Sequence, residues 1–267
     1  MKKPWTSLEQ LAMSIPDGSL IATGGFMLGR APLAVVLELI RKGARDLRLM
    51  SLPNPLPAEL LVAGGCLARV EAAFIAINID GRLRAMPCLK RAIESGAVAW
   101  TEHDGYRVVQ RLRAAGMGLP FIPAPDAETC ELAAAEPPPI VIDPFSGRPV
   151  AVEPAVYPDV AIVHAQAADE AGNLFIDDPT TDLLVCNAAK RVLATAETRV
   201  AKLSRVTIPG FQVEAVALAA GGALPTGCAG HYSFDEPALL AYLASAEAGK
   251  ADEWLAGVLH RESARVA

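Results

Sequence analysis

Two glycines between an apolar run and a predicted helix form the strongest chemical signal in the chain. Gly24, Gly25 and Phe26 follow the apolar residues 19–23, and Arg30 stands just before the helix. Glycines let backbone N–H groups approach a ligand closely, and a helix N-terminus favours an anion. The segment is therefore predicted to bind an oxyanion or a phosphate, or else to be a plain tight turn. Its spacing matches neither of the common glycine-rich nucleotide motifs.

Glu102 is the candidate for acid–base chemistry. It follows the apolar run at 97–101, and open parallel α/β sheets bind ligands at the carboxyl ends of their strands. A carboxylate in that position could activate water or the substrate as a general base. The alternative is an acidic residue near a helix N-terminus beside Asp104, where the helix dipole favours negative charge.

Other polar residues give single, separate signals. Arg30 could bind a substrate carboxylate or a phosphate through two parallel hydrogen bonds, or be an exposed arginine at the start of a helix. Asn173 follows Gly172 and could contact the substrate or simply tolerate the backbone of a turn. His164 ends an apolar run and is predicted to be a hydrogen-bonded core histidine. The histidines and cysteines lack metal-ligand spacing, so no metal site is predicted.

These residues need a scaffold, and the hydrophobic pattern indicates an α/β fold. Apolar, strand-like runs alternate with single helices, which favours a mostly parallel open sheet flanked by helices. One domain is expected over 1–267, with a proline-rich lid or excursion at about 123–158 that has short strands near 139–142 and 150–153. Elsewhere the pattern predicts helices over 32–42, 57–63, 87–95, 104–117 and 180–188, strands over 19–23, 46–52, 69–78, 97–100, 159–164 and 191–196, and two helices in the tail.

Composition narrows the classes of function. Hydrophobic residues make up 52% and charged residues 20% of the chain, which excludes a disordered protein. The net charge of −6 argues against a nucleic-acid partner. No apolar run approaches the ~20 residues of a membrane span, and the N-terminal residues lack the apolar region of a signal peptide. We therefore expect a cytoplasmic protein with no membrane or nucleic-acid partner.

Several motifs together resemble a known family. Asp17-Gly18, the apolar run, Gly24-Gly25-Phe26 and Arg30-Ala31-Pro32 resemble the α-subunit signature of family I coenzyme A transferases. The arginine before Ala-Pro is similar to the glutaconate CoA-transferase branch, which includes hydrolases that open a steroid ring of a CoA thioester. The resemblance covers most of residues 8–245. Further segments that fit it, in the same order along the chain, are 111–121, 158–173, 188–192 and 206–210.

The resemblance implies a function and a set of roles. The chain would be the α subunit of a heteromeric CoA transferase, which moves CoA between an acyl-CoA and a free carboxylic acid through a glutamyl-CoA thioester on a β subunit. The N–H groups of Gly24, Gly25 and Phe26 would stabilise the thioester oxyanion, and Arg30 and Asn173 would bind substrate. No cofactor would be bound permanently, because the coenzyme A thioester is itself the substrate.

Two alternatives remain open. In the steroid-catabolic branch the α subunit contributes a catalytic glutamate after this strand, and Glu102 matches that position, so the chain could belong to a hydrolase that opens a cyclic diketone. Many relatives carry histidine where Leu224 and Gly105 stand here, which makes the expected mouth of the site less polar. The second alternative is a non-catalytic effector-binding module, because related sheets serve as sensors. Such a sensor would carry a DNA-binding helix-turn-helix, which the sequence does not show.

Overall fold

The computed structural model describes residues 4–124, 131 and 136–266, and its centre is a nine-stranded sheet. In spatial order the sheet contains β1 (Trp5–Thr6), β14 (Ala215–Leu218), β13 (Val192–Val200), β11 (Val160–Asp169), β2 (Leu20–Thr23), β3 (Leu47–Ser51), β4 (Leu67–Ala72) and β7 (Ala99–Glu102), with β12 (Leu174–Phe175) beside β11. All of its pairings are parallel except that of β12 with β11. The predicted mostly parallel open sheet flanked by helices is confirmed.

Helices cover both faces of the sheet and divide the core in two. Alternate residues of a strand point to opposite faces, so Ile21 and Ile162 pack on the first face and Ala22 and Val163 on the second. No helix in the described part of the chain is long and apolar enough to cross a membrane. The first face carries α1 (Leu8–Met13), α2 (Leu33–Arg41), α3 (Pro55–Ala63), α4 (Pro87–Glu94), α7 (Glu236–Glu247) and α8 (Ala251–Val266), and the second carries α5 (Gly105–Gly116) and α6 (Asp182–Ala188).

The proline-rich region contains a separate small sheet. Its antiparallel strands lie in the order β8 (Phe121–Pro123), β10 (Pro149–Pro154) and β9 (Ile140–Ile142). The last two occupy the positions where short strands were predicted, and they pair with each other instead of extending the main sheet. The buried ion pair of Arg107 and Glu153 (2.5 Å) joins α5 to β10. Residues 125–130 and 132–135 of the predicted excursion lie outside the described residues.

One predicted strand proves to be two. The apolar run at 69–78 was expected to be continuous, but β4 ends early and the chain enters a hairpin of β5 (Ala76–Ile79) and β6 (Arg82–Ala85). Asp80 (φ 55°) and Gly81 (φ 63°) adopt the left-handed conformation that a tight hairpin turn requires. The prediction was wrong here because apolar residues continue through the bend and conceal it.

A buried carboxylate joins three helices on the first face. Glu59 of α3 accepts hydrogen bonds from the backbone N–H groups of Cys88 (3.0 Å) and Leu89 (2.8 Å) at the start of α4. It also accepts one from the hydroxyl of Tyr242 on α7 (2.8 Å). Because α4 has no side-chain cap of its own, Glu59 satisfies N–H groups that would otherwise be buried without a partner.

Candidate active site

The carboxyl ends of four neighbouring strands place the candidate residues along one edge of the main sheet. β2, β3, β4 and β7 are adjacent and parallel, so the turns that follow them lie side by side. At a strand spacing of about 4.8 Å, the ends of β2 and β7 are separated by about 14 Å. The turn at Gly24–Phe26 and the Glu102 carboxylate therefore stand at two ends of one edge.

The turn after β2 directs its own amide groups into the protein. The N–H groups of Gly24, Gly25 and Phe26 donate, respectively, to the carbonyl of Ile162 (2.9 Å), the carboxylate of Asp182 (3.2 Å) and the carbonyl of Gly29 (2.9 Å). Their predicted role as oxyanion donors is not supported, because each already has a protein acceptor. What the turn presents to solvent is the side chain of Phe26, which is 49% exposed.

Arg30 is an internal ion-pair partner. Its side chain is 7% exposed, and its Nη2 lies 3.0 Å from Asp182 Oδ2. Nη1 donates to the carbonyl of His164 (3.3 Å), and Nη2 also donates to the carbonyl of Asp178. Neither the predicted substrate contact nor the exposed alternative fits, because the guanidinium is enclosed and its donors are occupied. Burial raises the pKa of Asp182, and the charge of Arg30 opposes that rise.

Asn173 closes the turn between β11 and β12. Its Nδ2 donates to Asp169 Oδ2 (2.8 Å), and its Oδ1 accepts the N–H of Gly210 (2.8 Å). Gly172, just before it, has a positive φ of 82°. These contacts favour the turn interpretation over the predicted substrate contact, because both ends of the amide are already bound within the protein.

Glu102 is the last residue of β7, the outermost strand of the sheet, and its side chain is exposed. The start of α5 is capped by Asp104, whose carboxylate accepts the N–H of Arg107 (2.9 Å). The capping function that was the alternative for Glu102 therefore belongs to Asp104. Glu102 keeps its place as the candidate acid or base.

A charged cluster that sequence reasoning missed lies beside Glu102. Arg111 Nη1 is 3.2 Å from Glu71 Oε2 and 2.7 Å from Nε2 of the buried His103. The contact with His103, together with the charges of Arg111 and Arg69, lowers the pKa of Glu71 to about 2. Charged residues at alternate positions of β4 were the available signal, because such residues share one face of a strand.

His164 lies in a buried polar network, as predicted. Its Nε2 is 2.6 Å from Glu197 Oε1, its Nδ1 is 2.8 Å from Thr195 Oγ1, and Tyr232 donates to the same carboxylate. The ligand atoms of His164, Glu197 and Cys228 lie within 4.8 Å of one another, a spacing that could hold a metal ion. The histidine and the carboxylate already have protein partners, and burial raises the pKa of Cys228 to about 12. The trio therefore fits a hydrogen-bonded core better than a metal site.

Taken together, the sheet and its carboxyl edge define an α/β protein of the class that binds ligands where parallel strands end. The family model described as coenzyme A transferase matches residues 6–219, and the chain belongs to this family. The prediction of a CoA-transferase-type α subunit is confirmed, since one of the two subunits of 3-oxoadipate CoA-transferase from Pseudomonas knackmussii is 30% identical over 86% of this chain and 83% of that protein.

Other relatives extend the comparison. A crystal structure of a variant of the decarboxylase AibA/AibB superposes with a TM-score of 0.94 and is 66% identical, covering 97% of this chain and 99% of that one. An uncharacterized protein of Archaeoglobus fulgidus is 35% identical over 91% of this chain, which spans only 56% of that protein's length. The matching subunit of glutaconate CoA-transferase from Acidaminococcus fermentans and the cholesterol ring-cleaving hydrolase IpdA subunit of Rhodococcus jostii are each 28% identical.

Proposed function

We propose that this chain is the α subunit of a two-chain cytoplasmic enzyme that acts on a coenzyme A thioester, and that the reaction is a decarboxylation. The observation that carries the proposal is the 66% identity, over 97% of the chain, with a chain of the decarboxylase AibA/AibB. The transferase and hydrolase relatives are 30% identical or less. Identity this high extends into the turns at the carboxyl edge, which is where related folds differ in chemistry.

The proposed reaction defines the substrate class. The bond between carbon and a free carboxylate breaks, CO₂ leaves, and the electron pair moves into the thioester carbonyl, which acts as the electron sink. A proton from an acid then restores a neutral acyl chain. The substrate is therefore an acyl-CoA with a second carboxylate placed so that its electrons can reach the thioester carbonyl.

Two exposed side chains of this chain take part in the proposal. Glu102 would exchange the proton, because it is an exposed carboxylate at the carboxyl end of a strand. Phe26 would form an apolar wall for the acyl group, and a carboxylate that leaves water for an apolar site loses solvation that stabilises it. The second chain would complete the site and would hold the coenzyme A moiety.

CoA transfer is the second candidate, and the family match over residues 6–219 favours it. In that case the α subunit would serve a glutamate of the β subunit, which would carry the glutamyl-CoA thioester. Hydrolytic ring opening is the third, by analogy with the 28% identical ring-cleaving hydrolase subunit.

One experiment separates the three reactions. The chain is co-expressed with a β-type chain of the same family, and the purified complex is given CoA thioesters of dicarboxylic acids. We expect release of CO₂ and an acyl-CoA product lighter by that mass. Formation of acetyl-CoA from added acetate, without CO₂ release, would show a transferase instead, and addition of water to a cyclic diketone thioester would show a hydrolase.

A further inference from the structure

The turn formed by residues 24–31 is held in an uncommon backbone conformation. Gly25 (φ 79°), Met27 (φ 52°) and Arg30 (φ 53°) all adopt positive φ values within six positions. Residues other than glycine rarely adopt this region, because their Cβ atom crowds the backbone. Such a turn persists only where surrounding contacts enforce it, which raises the question of what holds this one.

Asp182 binds both ends of the turn. It is the first residue of α6 and is fully buried. One carboxylate oxygen accepts the N–H of Gly25 (3.2 Å) near the start of the turn, and the other lies 3.0 Å from Arg30 Nη2 near its end. The neighbouring Thr181 hydroxyl donates to the carbonyl of Gly25 (2.6 Å). A single segment that is distant in the chain therefore fixes the turn at its start and its end.

The two glycines are matched to this carboxylate. A Cβ atom at Gly24 would lie 2.3 Å from Asp182 Oδ1, so only a residue without a side chain lets the carboxylate reach the turn. A Cβ atom at Gly25 would lie 2.5 Å from the carbonyl oxygen of Arg30. The Gly-Gly pair thus makes room for internal contacts of the turn.

We propose that Asp182 is a positioning residue, which acts through Arg30 and the N–H of Gly25 to hold the turn so that Phe26 faces the bound acyl group. This inference rests on the proposed function, because it assigns Phe26 to the substrate side of the edge. A buried ion pair is weak evidence for a stabilising role, since apolar replacements of both partners are often as stable. The geometry therefore points to control of the turn's conformation as the purpose of the pair.

The test uses the assembled two-chain enzyme and compares D182N, R30M, the double variant D182N/R30M and F26A. Removing one partner leaves the other charge buried, so the single variants are expected to be unstable, whereas the double variant removes both charges and is expected to fold. Amide hydrogen exchange of residues 25–30 should be at least tenfold faster in the double variant than in the wild type. Its kcat/KM should fall more than tenfold, and adding F26A should cause little further loss.

E59Q supplies the matched control. Glu59 is also a buried carboxylate that accepts backbone N–H groups, but it holds α4 and α7 instead of the turn. It should lower the melting temperature while kcat/KM per folded enzyme stays within twofold of the wild type. A double variant that folds with unchanged exchange at 25–30, or with faster exchange but unchanged kcat/KM, would overturn the proposal. If the wild-type complex has none of the three activities, the proposed function fails, and the exchange measurement with binding of a CoA thioester still decides whether Asp182 positions the turn and Phe26.

Discussion

Enclosed and exposed side chains alternate along the carboxyl edge, and this separates residues that can meet a substrate from residues that shape the edge. Phe26 and Glu102 reach solvent, whereas Arg30, Asp182 and His103 are buried. A charged group that is enclosed with its partners has its hydrogen bonds already made, so it offers little to a ligand. The proposed chemistry therefore depends on the two exposed residues and on the second chain.

The first prediction at this scale concerns Glu102. Glu102→Gln keeps the size of the side chain and removes its acid–base function, so turnover of the complex should fall by about 10²–10⁴-fold. Because the side chain is exposed, the free energy of unfolding should change by no more than about 0.5 kcal/mol. Glu94→Gln, at a helical glutamate away from the edge, is the control and should leave turnover unchanged. Normal turnover in Glu102→Gln would remove this residue from the mechanism.

The second prediction concerns Glu71 and pH. Its pKa falls from 4.5 to about 2 on folding, so its carboxylate stabilises the native state above pH 4.5, and that contribution is lost as the pH falls from 4.5 towards 2. Glu71→Gln lacks this carboxylate and should be less stable than the wild type at neutral pH by about 1–3 kcal/mol. Urea unfolding at a series of pH values should show the two proteins converge below pH 4.5. A difference that stays constant down to pH 2 would contradict the assignment.

At the scale of elements, the parallel sheet brings together segments that are far apart in the chain. The turn after β2 is held by Asp182 of α6 and by the segment around Gly227, whose carbonyl accepts the N–H of Arg30 (2.7 Å). Asn54, which precedes α3, donates to the carbonyl of Gly24 (2.7 Å). The shape of this turn is therefore a property of several elements and not of its own residues alone.

Gly25 and Gly18 allow this to be tested. Both have positive φ values, 79° and 73°, but a Cβ atom at Gly18 would meet no atom within 4 Å. Gly18→Ala should therefore show only the backbone penalty, about 1–2 kcal/mol. Gly25→Ala adds the clash with the carbonyl of Arg30 and should lose about 2–5 kcal/mol, measured by chemical unfolding. Equal losses in the two variants would mean that the turn is free to move aside.

At the scale of the whole molecule, this chain corresponds to only part of some relatives. It spans 56% of the length of the Archaeoglobus fulgidus protein that it matches. The edge that holds Phe26 and Glu102 lies open in the single chain, with each side chain in contact with solvent. A chemical step that needs a desolvated carboxylate requires a second surface to close over that edge.

The whole-molecule prediction follows from this open edge. The isolated chain should fold but should neither release CO₂ from a dicarboxylic CoA thioester nor transfer CoA, and adding the β-type chain should restore turnover. Light scattering after size-exclusion chromatography should show a complex that contains both chains. Turnover by the isolated chain at the rate of the complex would contradict the need for a partner.

The sequence by itself determined the alternation of elements, the parallel sheet, the family and the position of Glu102 at the end of a strand, because these depend on local periodicity and on motifs in order. Tertiary structure alone decided the roles of Arg30 and of the glycine pair, since their partner Asp182 is about 150 positions away in the chain. It likewise assembled Glu71, His103 and Arg111 from separate elements. Whether a polar group faces a ligand or another residue depends on which strands are neighbours, and no local pattern encodes that.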